Sequence, residues 1–169
     1  MPSDLPGGYG RGRMTEDHAR DAAVVIAALR QRAAVPVWVV GTSLGSLSAV
    51  NAAVRLKDGG PHGLVITSSP TRNTNKNNGT VFDAGLSDVR VPTLVVHSEN
   101  DACIGTPGAD ARPIFGRVRA ERKELLHFSG APGGSGLAAC EPYSAHGYFG
   151  IDADVVKAIA DWIKATPAR

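Results

Sequence analysis

The sequence predicts an α/β fold, a three-layer sandwich around a mostly parallel sheet of about four strands. Three observations predict it. Four short apolar runs alternate with helical patterns along the chain, which is the order that builds a parallel sheet with helices on both faces. The first run, Val37-Trp38-Val39-Val40, is continuous rather than alternating, as in a strand covered on both sides. With 169 residues, 43% of them hydrophobic, the chain is long enough to bury roughly two-thirds of the surface it exposes unfolded, and residues 1–169 are expected to form one domain.

The elements follow in order. Residues 1–14 are rich in Gly, Pro and Arg and read as an N-terminal loop. Thr15 then offers a capping hydroxyl, and Glu16 and Asp17 supply acids to a first helical turn, where the helix dipole favours them. Ala22, Val25, Ile26 and Leu29 recur at three- and four-residue spacing, and Pro36 stops the pattern. A strand over 37–41, a helix over about 44–57 and a strand over 63–69 come next. The polar, Asn-rich segment 71–80 reads as a long loop, with a short helical turn near 85–89. A strand over 92–98, a helix from about 109 to 120, a strand over 123–129, a Gly-rich loop to about 150 and a last helix over 152–165 complete the chain.

Composition narrows the partners. Formal net charge is only +2, and the densest basic group (Arg117, Arg119, Arg122, Lys123) interleaves with Glu121 and Glu124 as on a solvated face, so neither nucleic acid nor a membrane surface is expected. No apolar run approaches the roughly eighteen residues of a membrane span, and the first residues lack the apolar segment of a signal peptide. Cys103 and Cys140 make no zinc site by themselves and lack C-x-x-C spacing; they read either as free thiols or as one disulfide. No cofactor or metal is expected. Asn78-Gly79-Thr80 matches a glycosylation triplet, a pattern frequent by chance.

The segment that carries chemistry is "VWVVGTSLGSLSAVNAA". Ser43 stands between Gly41 and Gly45, where a strand passes directly into a helix rich in Ala and Ser. A serine hydroxyl is a poor nucleophile until a base removes its proton. A tight strand-to-helix turn with small flanking residues would expose it rigidly above the sheet edge, beside helix N–H groups. This stretch resembles the nucleophile elbow of the α/β-hydrolase fold family, of the serine esterase and dienelactone-hydrolase kind.

That resemblance implies a triad in the chain order Ser, acid, His. The acid belongs in a loop after a later strand: "HSEND" ends one, and Asp101 fits, with Pro107 shortly after and Glu99 a rival nearer the strand end. Asp88 and Asp110 fall in or beside expected helices. For the base, His18 and His62 precede the acid, and His97 and His127 lie within strands, where packing or hydrogen bonding is their expected role. His146, in "SAHGYFGI" before the final helix, stands where this family's base stands. The resemblance therefore implies Ser43 as nucleophile, His146 as base and Asp101 as its orienting acid, with the Leu44 N–H offered to the oxyanion. A Cys103–Cys140 bridge would tie the acid loop to the base loop and would suit a periplasmic or secreted protein; with two free thiols the default is cytoplasmic.

Relative to the family, the strands expected before the elbow are missing. "PGGYG" at 6–10 resembles the loop leaving the family's fourth strand rather than its oxyanion loop. The expectation is a short or truncated member with two consequences. Strand 37–41 becomes an exposed apolar edge through which copies self-associate or lose solubility. The oxyanion hole lacks its second donor, a loss typically worth a hundred- to a thousand-fold in rate. The implied activity is cleavage of small acyl esters through an acyl-enzyme, in an open site that the Asn-rich loop overhangs. The rivals are an acyltransferase or thioesterase with the same triad, and a non-catalytic interaction module that keeps the elbow as structure.

Overall fold

The computed structural model of the chain describes residues 8–75, 77–131 and 136–167. A first short helix, α1 (Gly8–Gly12), precedes α2 (Glu16–Arg32), β1 (Trp38–Thr42), α3 (Gly45–Arg55), β2 (Gly63–Thr67), β3 (Thr93–Ser98), α4 (Ala111–Arg117), β4 (Lys123–Phe128) and α5 (Asp152–Ala165). The four strands are parallel and lie side by side in chain order, β1-β2-β3-β4. Among the described residues no helix is long and apolar enough to cross a membrane.

β2 and β3 occupy the centre and are buried at every position. Because side chains alternate across a strand, β2 feeds two cores at once. Leu64 and Ile66 join Leu47, Val50, Leu86, Val95 and Ile114 on the face covered by α3 and α4. Val65 turns the other way and packs with Leu94, Val96, Tyr148, Val155 and Trp162 beneath α5. Trp162 also meets Trp38 of β1 edge to face, with ring centroids 5.5 Å apart.

α2 starts as its sequence indicates: the Thr15 hydroxyl accepts the His18 N–H at 3.2 Å, and Glu16 and Asp17 sit in the first turn. Its apolar stripe fares differently. Ile26 is buried, but Val25 is 59% and Leu29 47% exposed. The helix packs along α3, and that contact covers only part of a face the periodicity marks as apolar.

Residues 8–14 correct the expectation of a loop up to residue 14; residues 1–7 of that loop lie outside the described residues. The cause is a tertiary contact. Gly10 is buried so closely against the Asn-rich segment that a Cβ there would fall 2.3 Å from Asn77 Oδ1. Two further boundaries shift. The helix expected over 109–120 is α-helical only from Ala111 to Arg117, after a 3-10 turn at Gly108–Asp110, and Val118 is already extended. The segment expected as an irregular loop before α5 contains 3-10 turns at Gly136–Cys140 and Ala145–Gly147.

Among the described residues β1 pairs with β2 alone and forms one edge of the four-strand sheet. Val40 on this strand is 52% exposed and Gly41 is its only buried residue. This corrects the expectation of a strand covered on both sides: an edge strand is flanked by one neighbour and its faces are only partly covered.

Candidate active site

The candidate residues lie beyond the carboxyl ends of the parallel strands, where open α/β sheets generally place their sites. Ser43 follows β1, Asp101 lies three residues beyond β3, and His146 lies in the segment between β4 and α5.

Ser43 adopts a left-handed backbone with φ 52°. A non-glycine residue held there costs on the order of 1–3 kcal/mol and persists only where its surroundings over-determine it. They do so here. The Ser43 N–H donates to Thr67 O at 2.9 Å, and its carbonyl accepts both the Ser46 N–H (3.0 Å) and the Ser46 hydroxyl (2.6 Å). The two flanking glycines play unequal parts. A Cβ on Gly41 would sit 2.4 Å from Gly45 O, so strand end and helix start touch backbone to backbone. A Cβ on Gly45 would meet nothing within 4 Å. This corrects the expectation that both positions must be small: the close approach falls on Gly41 alone. Leu44 is the N-cap residue of α3, so its N–H belongs to the helix-end amides without an intrahelical acceptor.

Asp101 and His146 meet in the interior. His146 Nδ1 lies 3.0 Å from Asp101 Oδ2, and their side chains are 7% and 0% exposed. The carboxylate is well supplied with donors: Oδ1 accepts the Cys103 N–H at 2.9 Å, and Oδ2 accepts the Thr106 hydroxyl at 2.9 Å. Thr106 Oγ1 is also 2.9 Å from His146 Nδ1. Since the Thr106 proton goes to Asp101, its oxygen is left to accept from the ring, and the Nδ1–H is shared between two acceptors. An ionised carboxylate can only accept, so Nδ1 is the donor in this pair.

The two halves are joined at the end of β2. Thr67 holds the Ser43 N–H, and its chain neighbour Ser68 donates its hydroxyl to the His146 carbonyl at 2.8 Å. Ser68 also has a left-handed backbone, with φ 42°. Tyr148, at φ 58°, presents its hydroxyl 3.1 Å from Ser68 Oγ and donates it to Val96 O. Burial pushes the Tyr148 phenol up to about 12, so it stays a neutral donor. Ser144 shapes the turn before the imidazole: its hydroxyl accepts the His146 N–H, and Ala139 and Glu141 carbonyls lie 2.8 Å from it. Cys103 and Cys140 are joined by a disulfide, 37 residues apart in sequence, which links the Asp101 loop to the segment leading to His146.

The other candidates stand elsewhere. Glu99 donates its N–H to Phe128 O and is exposed. His18 Nε2 lies 2.8 Å from Ser48 Oγ, and His62 Nδ1 accepts the Val37 N–H at 2.9 Å. His97 is wholly buried, and burial holds its proton affinity below the ordinary histidine range against the opposing pull of Asp101. His127 was expected to pack or hydrogen-bond within its strand; it is exposed, because β4 lies at the sheet edge. Sequence reasoning missed Thr106 and Ser68, and a lone threonine in a loop carries no signal that could have singled it out. It also did not foresee that Asp101, Cys103 and His146 each place a ligand-type atom within 4.8 Å of the others.

No protein-family model matches the sequence, and no curated protein matches it. Solved structures do match the fold. A monoacylglycerol lipase of Paleococcus ferrophilus aligns with TM-score 0.57 at 16% identity, over 85% of this chain and 74% of its own. A structure from LipS and LipT, two metagenome-derived lipolytic enzymes, aligns with TM-score 0.64 at 12% identity, over 96% and 78%. A cold-adapted esterase from an Arctic intertidal metagenomic library aligns with TM-score 0.55 at 15% identity, over 72% of this chain and half of that one. At these identities the likeness shows the fold, which is that of the α/β-hydrolases.

Proposed function

We propose that the chain is a serine hydrolase that cleaves carboxylic esters of small acyl groups. The observation that carries this reading is the buried Asp101–His146 pair, tied through the Thr67–Ser68 end of β2 to a serine in a left-handed turn. Lipolytic neighbours in the structural comparison support the substrate class.

In this reading Ser43 Oγ attacks the acyl carbonyl while His146 Nε2 takes its proton. Asp101 holds the ring in the tautomer that leaves Nε2 free and stabilises the imidazolium that forms, with Thr106 fixing the carboxylate from the side. The Leu44 N–H, beside the N-terminus of α3, donates to the oxyanion of the tetrahedral intermediate. His146 then returns the proton to the departing alcohol, and water hydrolyses the acyl-enzyme by the same steps reversed.

A fluorophosphonate probe tests the reading, because it reacts with an activated serine whatever the natural ester. Labelling at Ser43 is expected, lost in Ser43→Ala and His146→Ala, with turnover of short-chain p-nitrophenyl esters. Well-folded protein that remains unlabelled would overturn it and favour an interaction module. Transfer of the acyl group to an added alcohol or thiol in preference to water would favour the acyltransferase instead.

A further inference from the structure

The donor atoms of Asp101, Cys103 and His146 all lie within 4.8 Å of one another, and all three residues are buried. A carboxylate oxygen, a thiolate sulfur and an imidazole nitrogen form a donor set that zinc takes in tetrahedral sites. One donor is withheld, because Cys103 Sγ is bonded to Cys140. We propose that reduction of the Cys103–Cys140 bridge opens a Zn2+ site made of Asp101, Cys103 and His146, and that the metal there switches the catalytic pair off. Bridge and metal compete for the same sulfur.

The chemistry closes with a dithiol as reductant. Its thiolate attacks one bridge sulfur, the S–S bond breaks, and its second sulfur closes a cyclic disulfide. The dithiol is oxidised, while Cys103 and Cys140 leave as thiols carrying its two protons. Zn2+ then displaces the proton of the Cys103 thiol into solvent.

Three features favour the metal once the sulfur is free. Asp101 and His146 already stand 3.0 Å apart, near the spacing of two ligands on one zinc. Donors on a tetrahedral zinc are about 3.5 Å apart, so the released sulfur has on the order of 1 Å to close. One carboxylate and one thiolate neutralise the dication, which suits a buried position. The Thr106 hydroxyl, 2.9 Å from both other donors, remains to hold the carboxylate or to serve as a neutral fourth ligand.

Inactivation follows from the tautomer. The nitrogen that faces Asp101 is Nδ1, so ligation there moves the ring proton to Nε2. That is the reverse of the form in which His146 serves as a base. Two independent effects then stop the reaction: Asp101 is occupied by metal, and Nε2 has no lone pair to offer.

The test uses the whole chain, bridged and after reduction by a dithiol followed by anaerobic desalting. Reduced wild type is expected to take up one Zn2+ per chain and, with Co2+ in its place, to show thiolate-to-cobalt charge-transfer absorption; the bridged chain shows neither. Cys140→Ser should bind without reductant, and Cys103→Ser should not bind after it. Should Cys140→Ser fail to fold, bridged against reduced wild type decides alone. Equal uptake by reduced Cys103→Ser, or no charge-transfer band in reduced wild type, overturns the site. The switching arm rests on the serine-hydrolase reading: Zn2+ should abolish fluorophosphonate labelling of the reduced chain, and a chelator should restore it. Labelling that survives with the cobalt band present overturns the switch. A bridged chain that never labels overturns the hydrolase reading while the metal measurements still judge the site.

Discussion

His146 Nδ1 stands 3.0 Å from Asp101 Oδ2 in a setting closed to solvent, and a single threonine hydroxyl reaches both. In the proposed serine-hydrolase reading, the pair gives the imidazole one tautomer and one direction. Asp101→Asn is therefore expected to lower kcat by about 10⁴-fold with the fold intact, because the amide stabilises the wrong tautomer. Thr106→Val removes a hydrogen bond to a charged group, worth roughly 1.5–3 kcal/mol. It should cost about ten- to a hundred-fold in kcat, with KM little changed. Thr106→Ser should recover most of the rate, an outcome that a purely packing role for the threonine would not give.

Ser43 is held at φ 52°, a conformation that glycine adopts freely and alanine does not. Ser43→Gly and Ser43→Ala should both abolish probe labelling. They should differ in stability, with the glycine variant the more stable by about 1 kcal/mol in denaturant titrations. Equal stabilities would mean that the turn stores no strain.

His97 offers a pH signature independent of activity. Burial lowers its pKa in the folded chain below the unfolded value of about 6.5, so the unfolded chain binds the extra proton first. Its contribution is complete above about pH 6.5 and is lost as pH falls below that value. Thermal midpoints of the wild type should drop between roughly pH 7 and pH 5, and those of His97→Gln should drop less. Parallel pH profiles for the two proteins would remove His97 as the source.

β1 is the edge of the four-strand sheet, and Val40 on it is half exposed. An apolar edge of this kind offers unpaired N–H and C=O groups to another copy. Concentration-dependent association is expected in sedimentation equilibrium, weakened in Val40→Lys, whose charge opposes edge pairing. A wild type that stays monomeric at high concentration would contradict it.

The legible part of this protein was local. The continuous apolar run at 37–40, the Thr15-Glu16-Asp17 start of α2 and the alternation of strands and helices each follow from short-range chemistry, and they led to a parallel four-strand sheet. The strand-to-helix turn at Ser43 was legible for the same reason, since strand, small turn and helix are contiguous. Its finer reading was not: only the folded backbone shows that Gly41 meets Gly45 O while Gly45 itself is open. α1 was illegible because glycines supply no helical signal, and the short helix rests against Asn77 across 67 residues of chain.

By itself, then, the sequence determined the order of the four strands and the longer helices and the strand-to-helix turn at Ser43. The pairing of that serine with an acid and a histidine was implied by the family resemblance. Tertiary structure decided which side chains meet. Asp101 and His146 are 45 residues apart, and their contact depends on β3 and β4 lying side by side with their ends on one edge. Thr106, Ser68 and the Cys103–Cys140 bridge join them for the same reason. Hydrophobic periodicity reports the face a residue buries, a property of its neighbours in the chain. The hydrogen bonds of the site join residues from distant loops, and only the side-by-side packing of the strands brings those loops within 3 Å.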